Sequence, residues 1–313
     1  MEIKLVLKGD GATSELPCGR FEIRIPRMAG AGVLEVLTPE RKKRMRCGME
    51  MTLYADGEAI FSGFIFTIET GREGRTVTVC DRLRYLLCRD TKVYSGVTAG
   101  AVVKEICGER GIPVGEIESG GAVIGQLIAD RQTLLDIIAK ACSESEKLGG
   151  GKLTLFDDAG KVCLMKEERL ETGITLTGDN LISSFISGAD IGSDSYNRIQ
   201  IVRKNRKSGA REFFIREDAE SIARWGVLQY SETVAQNTPK EEIEARLSAL
   251  LQSKNRPVQT LTLTGAGDLR CRAGFLIGVS LPEDGIDGKF RILQSRHKMD
   301  ENGFTMKLVA EGV

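Results

Sequence analysis

The fold turns on "VTVCDRLRYLLCRDTKVYSGVTAGAVVKEICGERGIPVG", residues 77–115. "VTVCD" finishes a β-strand. "RLRYLLC" then carries Leu83, Leu86 and Leu87 at helical spacing. "TAGAVVKEICGERGIP" puts Val102, Val103, Ile106 and Cys107 on one helical face, and Gly111 and Pro113 stop it. Cys80, Cys88 and Cys107 fall on different elements, without the C-x-x-C spacing of a finger or ribbon site. The stretch reads as a junction, where a β-rich module hands over to an α/β module.

Upstream of the junction, residues 1–86 read as strands and turns. Ile3, Leu5 and Leu7 share one strand face, and "FEIRIP" alternates Phe21, Ile23 and Ile25 with Glu22 and Arg24. Asp56-Gly57 and Gly71–Gly74 split later apolar runs into hairpins. Downstream, "RQTLLDIIAKACSESEKLGGG" gives a second helix with Leu134, Leu135, Ile138, Ala141 and Cys142 on its apolar face. "KLTLFDDAGKVCLM" is a hairpin around Asp157–Gly160. Strands return after residue 171, notably at 258–264, 275–281, 289–294 and 304–310. One helix, 239–254, is inserted among them. Thr238 is its expected cap, Pro239 its first residue and Glu241 the partner in a capping box. Ile243, Leu247, Leu250 and Leu251 form its buried stripe. The expected fold is mainly β. Two antiparallel β-barrel-like modules, 1–86 and 171–313, flank a small α/β domain, 87–170.

The two modules resemble each other. "RCGMEMTLYADG" (46–57) and "RAGFLIGVSLPEDG" (272–285) share an arginine, a glycine two residues later, alternating apolars and Asp-Gly. "IFSGFIF" and "KFRILQS" follow, then a turn with Gly74 or Gly303, then "RTVTV" and "FTMKL". Either one module has been duplicated, or two unrelated hairpin meanders share their turn chemistry.

Composition narrows the function by exclusion. With 313 residues, two or three domains are expected. A formal charge of zero gives no pull toward nucleic acid, membrane or acidic substrates. No segment approaches the ~20 apolar residues of a membrane span, and the charged "MEIKLVLKGDG" is no signal peptide. Assembly in a cytoplasm is expected. Cysteines 18, 47, 80, 88, 107, 142, 163 and 271 are scattered and read as reduced, buried thiols.

Catalytic patterns are missing. His297 is the one imidazole and reads as a surface residue at a strand end. No G-x-S-x-G, H-E-x-x-H or G-x-G-x-x-G occurs, and "ESEKLGGGKLTL" lacks P-loop spacing. Glu167-Glu168 and Glu241-Glu242 are adjacent and so diverge, where a glycosidase needs carboxylates that face each other. No catalytic residue, cofactor or metal is assigned. Trp225 reads as a packing anchor. The sharpest charge feature is "RKKRMRCG" (41–48), with Arg41, Lys42, Lys43, Arg44 and Arg46. It could grip phosphates but lacks interleaved aromatics. The other reading is a solvated or subunit-contacting loop.

The junction, "QTLLDIIAKACSES", "NRIQIV", "WGVLQYSETV" and "GKFRILQSRHKMDENGFTMKLVAEG" together resemble the tail hub of contractile phage tails and phage-tail-like bacteriocins. The likeness is to the hub of defective prophages, and more distantly to late-control D proteins and the N-terminal part of secretion-system spikes. It runs from about residue 45 to the end. The resemblance implies a homotrimer with two similar barrels per chain, adapting a sixfold tail tube to a threefold spike. Its implied partners are further copies of itself, the tail tube protein, the central spike protein, baseplate wedge proteins and the tape-measure protein, with no membrane and no sequence-specific nucleic acid. It implies a place in a tail or tail-like particle, with residues 41–46 on a subunit or tube interface. In some related hubs a discontinuous segment completes the first barrel, a part that residues 171–200 would play here. The alternative function is a tail-associated cell-wall hydrolase, made in the same assemblies.

Overall fold

Period-two alternation builds the first module from β1 (Ile3–Gly9), β2 (Ala12–Leu16), β3 (Arg20–Pro26), β4 (Val33–Thr38), β5 (Glu50–Ala55), β6 (Glu58–Thr70) and β7 (Arg75–Cys80). The computed structural model describes residues 1–28, 30–178, 182–204, 209–234 and 236–313. The strands pair antiparallel in the order β2-β1-β5-β6-β7-β4-β3. Leu5, Phe21, Leu34, Met51, Ile65 and Val79 meet in one core. The helical insert has a separate core, so the sheet curls over its own apolar face, which makes the module barrel-like. Asp56 and Gly57, at φ 48° and 86°, supply the two-residue turn between β5 and β6.

The junction follows. Asp81 caps a 3-10 turn at Arg82–Leu87 by accepting from the Leu83 N–H. The insert comprises β8 (Arg89–Val97), α1 (Ala99–Glu109), β9 (Val114–Ile117), β10 (Ile124–Thr133), α2 (Leu134–Lys147), β11 (Leu153–Asp158) and β12 (Lys161–Lys166). Thr98 and Thr133 cap the two helices with their hydroxyls. Val102, Val103 and Ile106 of α1 pack with Leu134, Ile137 and Ile138 of α2.

The second module starts with β13 (Glu171–Thr177) and β14 (Ile182–Asp190). A separate compact unit, Ser187–Thr260, contains β15 (Arg198–Lys204), β16 (Arg211–Glu217), α3 (Ala219–Trp225), β17 (Gln229–Val234) and α4 (Lys240–Lys254). The second module then resumes with β18 (Val258–Ala266), β19 (Leu276–Leu281), β20 (Ile286–Asp300) and β21 (Gly303–Gly312). The inserted helix is therefore accompanied by a three-stranded sheet, β16-β15-β17. Ile243 and Leu247 of α4 pack on Ile199 and Ile201 of β15. The expected capping box is absent. Pro239 occupies the cap, one residue later than expected, and no side chain caps the helix. Within the stretch 171–200, β13 pairs with β19 and β14 with β18, while residues 179–181 lie outside the described residues.

The two modules share a succession of strands. The second runs β13-β19-β20-β21-β18-β14, the same succession as β1-β5-β6-β7-β4-β3 in the first. The likeness extends to single hydrogen bonds. Gly48 (φ 88°) donates to the Ile65 carbonyl at 2.8 Å, and Gly274 (φ 91°) donates to the Ile292 carbonyl at 2.7 Å. In return Ile65 donates to Met49, and Ile292 donates to Phe275. Each isoleucine is followed by a break in strand register, at Phe66 and Leu293 respectively. Ile65 thus corresponds to Ile292, two residues upstream of the alignment that matches "IFSGFIF" to "KFRILQS". The copies also differ, and among the described residues β2 of the first has no counterpart in the second. β13 pairs with β19 in parallel, whereas β1 and β5 are antiparallel. The short β3–β4 connection of the first copy has residues 191–257 as its counterpart in the second.

The modules share a strand. β20 pairs with β19 over its first part and, past the break at Leu293, with β3 from Gln294 to Met299. One thirteen-stranded ladder results.

Candidate functional site

The predicted interface residues lie in the β4–β5 connection, which is folded down on its neighbours. Arg41 donates to the carbonyls of Gly71 and Arg72 in the β6–β7 turn. Arg75 returns hydrogen bonds to the carbonyls of Lys43 (2.8 Å) and Arg41 (2.6 Å). The Glu40 carboxylate accepts from the backbone of Lys42 and Lys43, which holds its pKa below the usual range. The Lys43 ammonium reaches the Ser14 hydroxyl at 3.2 Å, and Arg46 pairs with Asp10 in the β1–β2 turn. Arg41, Lys43 and Arg46 therefore fasten the loop. The Lys42 and Arg44 side chains stay exposed, with no hydrogen bond or ion pair among the described residues. Beside the loop is an open hollow of about 500 Å³, lined by Lys8, Asp10, Arg46, Gly48, Glu50 and Phe64.

His297 is not a surface residue. It is 1% exposed, in mid-strand opposite Ile23 of β3 and Met306 of β21. Its Nε2 lies 2.8 Å from the Asp268 carbonyl, and its ring stacks with Phe304 at 6.1 Å. Burial pushes its pKa down to about 4, so the imidazole is neutral near pH 7. Trp225 is half-buried at the end of α3 under the Arg224 guanidinium.

The buried-thiol reading fits Cys80, Cys107, Cys142, Cys163 and Cys271, whereas Cys18 is half-buried and Cys47 and Cys88 are exposed. Burial pushes Cys142 and Cys271 up to about 12, far from a thiolate nucleophile. Among the described residues no group of three or more His, Cys, Asp or Glu side chains could hold a metal ion. No helix among them is long and apolar enough to cross a membrane.

Sequence reasoning missed two buried polar joints that lock the insert to both modules. In one, Asp81 accepts from Gly32 (2.7 Å) and Leu83 (3.0 Å), and Asp157 accepts from Gly160 (2.6 Å) and Arg82 (3.2 Å). Burial raises the pKa of both carboxyls, and the neighbouring Asp157 charge raises Asp81 further. Arg272 closes this joint. It donates to the Asp157 carbonyl at 2.5 Å, pairs with Asp158 at 3.1 Å and lies over the Phe156 and Phe275 rings. In the other joint, Arg291 of β20 is bidentate to Glu167 at the end of the insert and pairs with Glu311 of β21. Arg291 and Glu167 side chains are only 7% and 8% exposed. The repeat offered one clue. It equates Arg272 with Arg46, and each reaches an aspartate beside a hairpin turn.

Two modules of one plan, locked through an insert, describe a framework. Residues 22–310 match the YQBQ-like family. The chain belongs to that family. It is 26% identical over 263 residues to the uncharacterized protein YqbQ of Bacillus subtilis (strain 168), covering 80% of this chain and 77% of the relative. The phage-like element PBSX protein XkdQ of the same organism is also 26% identical, over 265 residues, 80% of this chain and 78% of the relative. The fold is that of phage tail proteins. The 43 kDa tail protein of prophage MuSo2 from Shewanella oneidensis superposes with a TM-score of 0.69 at 14% identity, over 99% of this chain and 98% of that one.

Proposed function

We propose that this YQBQ-like chain is the structural hub of a contractile tail baseplate, a homotrimeric ring that adapts a sixfold tail tube to a threefold spike. The duplicated strand order carries this reading. Two modules with the same succession of strands and the same glycine-to-isoleucine bonds let three copies offer six similar units. The two buried joints support it, because a ring that transmits force needs modules that do not slide. Partners on this reading are two further copies, the tail tube protein, the spike, baseplate wedge proteins and the tape-measure protein. Lys42 and Arg44 would meet the tube or a neighbouring copy. Arg41, Lys43 and Arg46 would present them.

Light-scattering mass of the purified chain, alone and with the spike protein, tests the reading. A species of three copies is expected in at least the second case. Persistent monomers in the presence of spike would overturn it. A cleared zone on cell-wall substrate from the purified chain would favour a wall hydrolase instead.

A further inference from the structure

The strand β16 reads "REFFIRE", Arg211–Glu217. It is an edge strand. β15 lies on one side, and among the described residues no strand lies on the other. Phe214 faces α4 and joins the small core there. Phe213 and Ile215 point to the opposite face and are 56% and 45% exposed. An edge with bare backbone groups and exposed apolar side chains is a template for another strand. Natural edges are usually blunted by charge, and here the charges do something more specific.

The sequence of β16 is self-complementary in antiparallel pairing. Centred on Phe214, a second β16 puts Arg211 opposite Glu217, Glu212 opposite Arg216 and Phe213 opposite Ile215. Every charged pair is attractive and the apolar pair lies on one face. A parallel in-register pair would instead set arginine on arginine and glutamate on glutamate. Sliding the antiparallel register by two residues sets charges against apolar side chains. We propose that the outer edge of β16 is an interface for the β16 strand of a second copy of this chain, paired antiparallel about Phe214.

The ion pairs within the chain do not compete with this. Glu212 pairs with Arg203, Arg216 with Glu244 and Glu217 with Arg198, all within one copy. A second copy would extend these into networks across the interface. The contact is twofold, so three copies cannot satisfy it among themselves. It links two chains, or two rings, and does not depend on the hub reading.

Charge swaps test it on the full chain, read by sedimentation over a concentration series. The native chain should show an even-numbered species. Glu212→Arg places arginine against Arg216 twice per pair of copies and should weaken that species by about tenfold. The double swap, Glu212→Arg with Arg216→Glu, mispairs both residues within the chain yet restores the match between copies. It should recover association to within about threefold. Phe213→Thr with Ile215→Thr leaves all charges in place and should also weaken association by about tenfold. The proposal is overturned by the lack of an even-numbered species, by one that ignores Glu212→Arg, or by a double swap as weak as the single. A three-copy species indifferent to the swaps would sink this interface and leave the hub reading standing.

Discussion

Ile23 of β3 and His297 of β20 face each other across the ladder that joins the two modules. A neutral, buried imidazole at that place makes the joint sensitive to acid. Its folded pKa of about 4 lies below the ordinary 6.5. The unfolded chain then binds more protons between those values, so stability rises with pH through the window and is lost as pH falls from 6.5 towards 4. The loss should be on the order of 3 kcal/mol. Asp81 and Asp157, whose pKa values are raised, act with the opposite sign. Their contribution is complete below the unfolded carboxyl pKa and is lost as pH rises through the folded one. Urea unfolding at a series of pH values should show the histidine slope, and His297→Gln should flatten it.

Arg272 holds the insert to the second module through Asp157 and Asp158 while its stem and guanidinium lie on two rings. Arg272→Ala should cost about 3 kcal/mol in urea unfolding. Arg272→Lys should recover less than half, since an ammonium cannot serve the carbonyl and the carboxylate from one plane. Equal stability of the lysine variant and the native chain would contradict this account.

Arg291 and Glu167 are nearly removed from solvent. Deleting one partner leaves the other charge buried, so Arg291→Ala should cost about 3–5 kcal/mol. Pairing Arg291→Met with Glu167→Leu should be far milder than either change alone, in the same unfolding assay.

Gly48 and Gly274 have the same backbone conformation in different surroundings. A methyl at Gly48 meets nothing within 4 Å, whereas at Gly274 it falls 2.4 Å from the Thr154 side chain. Gly48→Ala should cost about 1 kcal/mol in strain alone. Gly274→Ala should cost about 2–3 kcal/mol, and Gly274→Ala with Thr154→Ser should return part of it. Thermal unfolding of the three variants gives the comparison.

Lys42 and Arg44 carry charge without fastening the loop. Lys42→Glu with Arg44→Glu should leave the unfolding free energy within about 0.5 kcal/mol of the native value. On the hub reading the same pair should reduce co-assembly with the tube protein severalfold, read by pull-down. Arg75→Ala, which releases the carbonyls of Arg41 and Lys43, should lower stability as well.

Much of this architecture could be read from local signals. Asp56-Gly57 announced a hairpin because few other pairs accept two left-handed residues in succession. The faces of α1 and α2 followed from Val102, Ile106, Leu134 and Ile138. The repeat was visible through Arg46 and Gly48 against Arg272 and Gly274, since a bond that needs a left-handed residue keeps its glycine. His297 was misplaced because Arg296 and Lys298 flank it, so the strand read as polar where it in fact alternates. The sheet of β15, β16 and β17 passed unnoticed because its core is small, and Ile199 and Ile201 find Ile243 and Leu247 only a long way down the chain. Arg272 meets Asp157 across 115 residues, and Arg291 meets Glu167 across 124, distances no local pattern reports.

β20 leaves one module and enters the next without a loop between them, as one strand whose register shifts at Leu293. No linker is present there to act as a hinge. A twist applied to either half is felt by the other within a single extended segment, and the pair turns as one lever. On the hub reading, flexing between the two modules would have to come from somewhere other than β20.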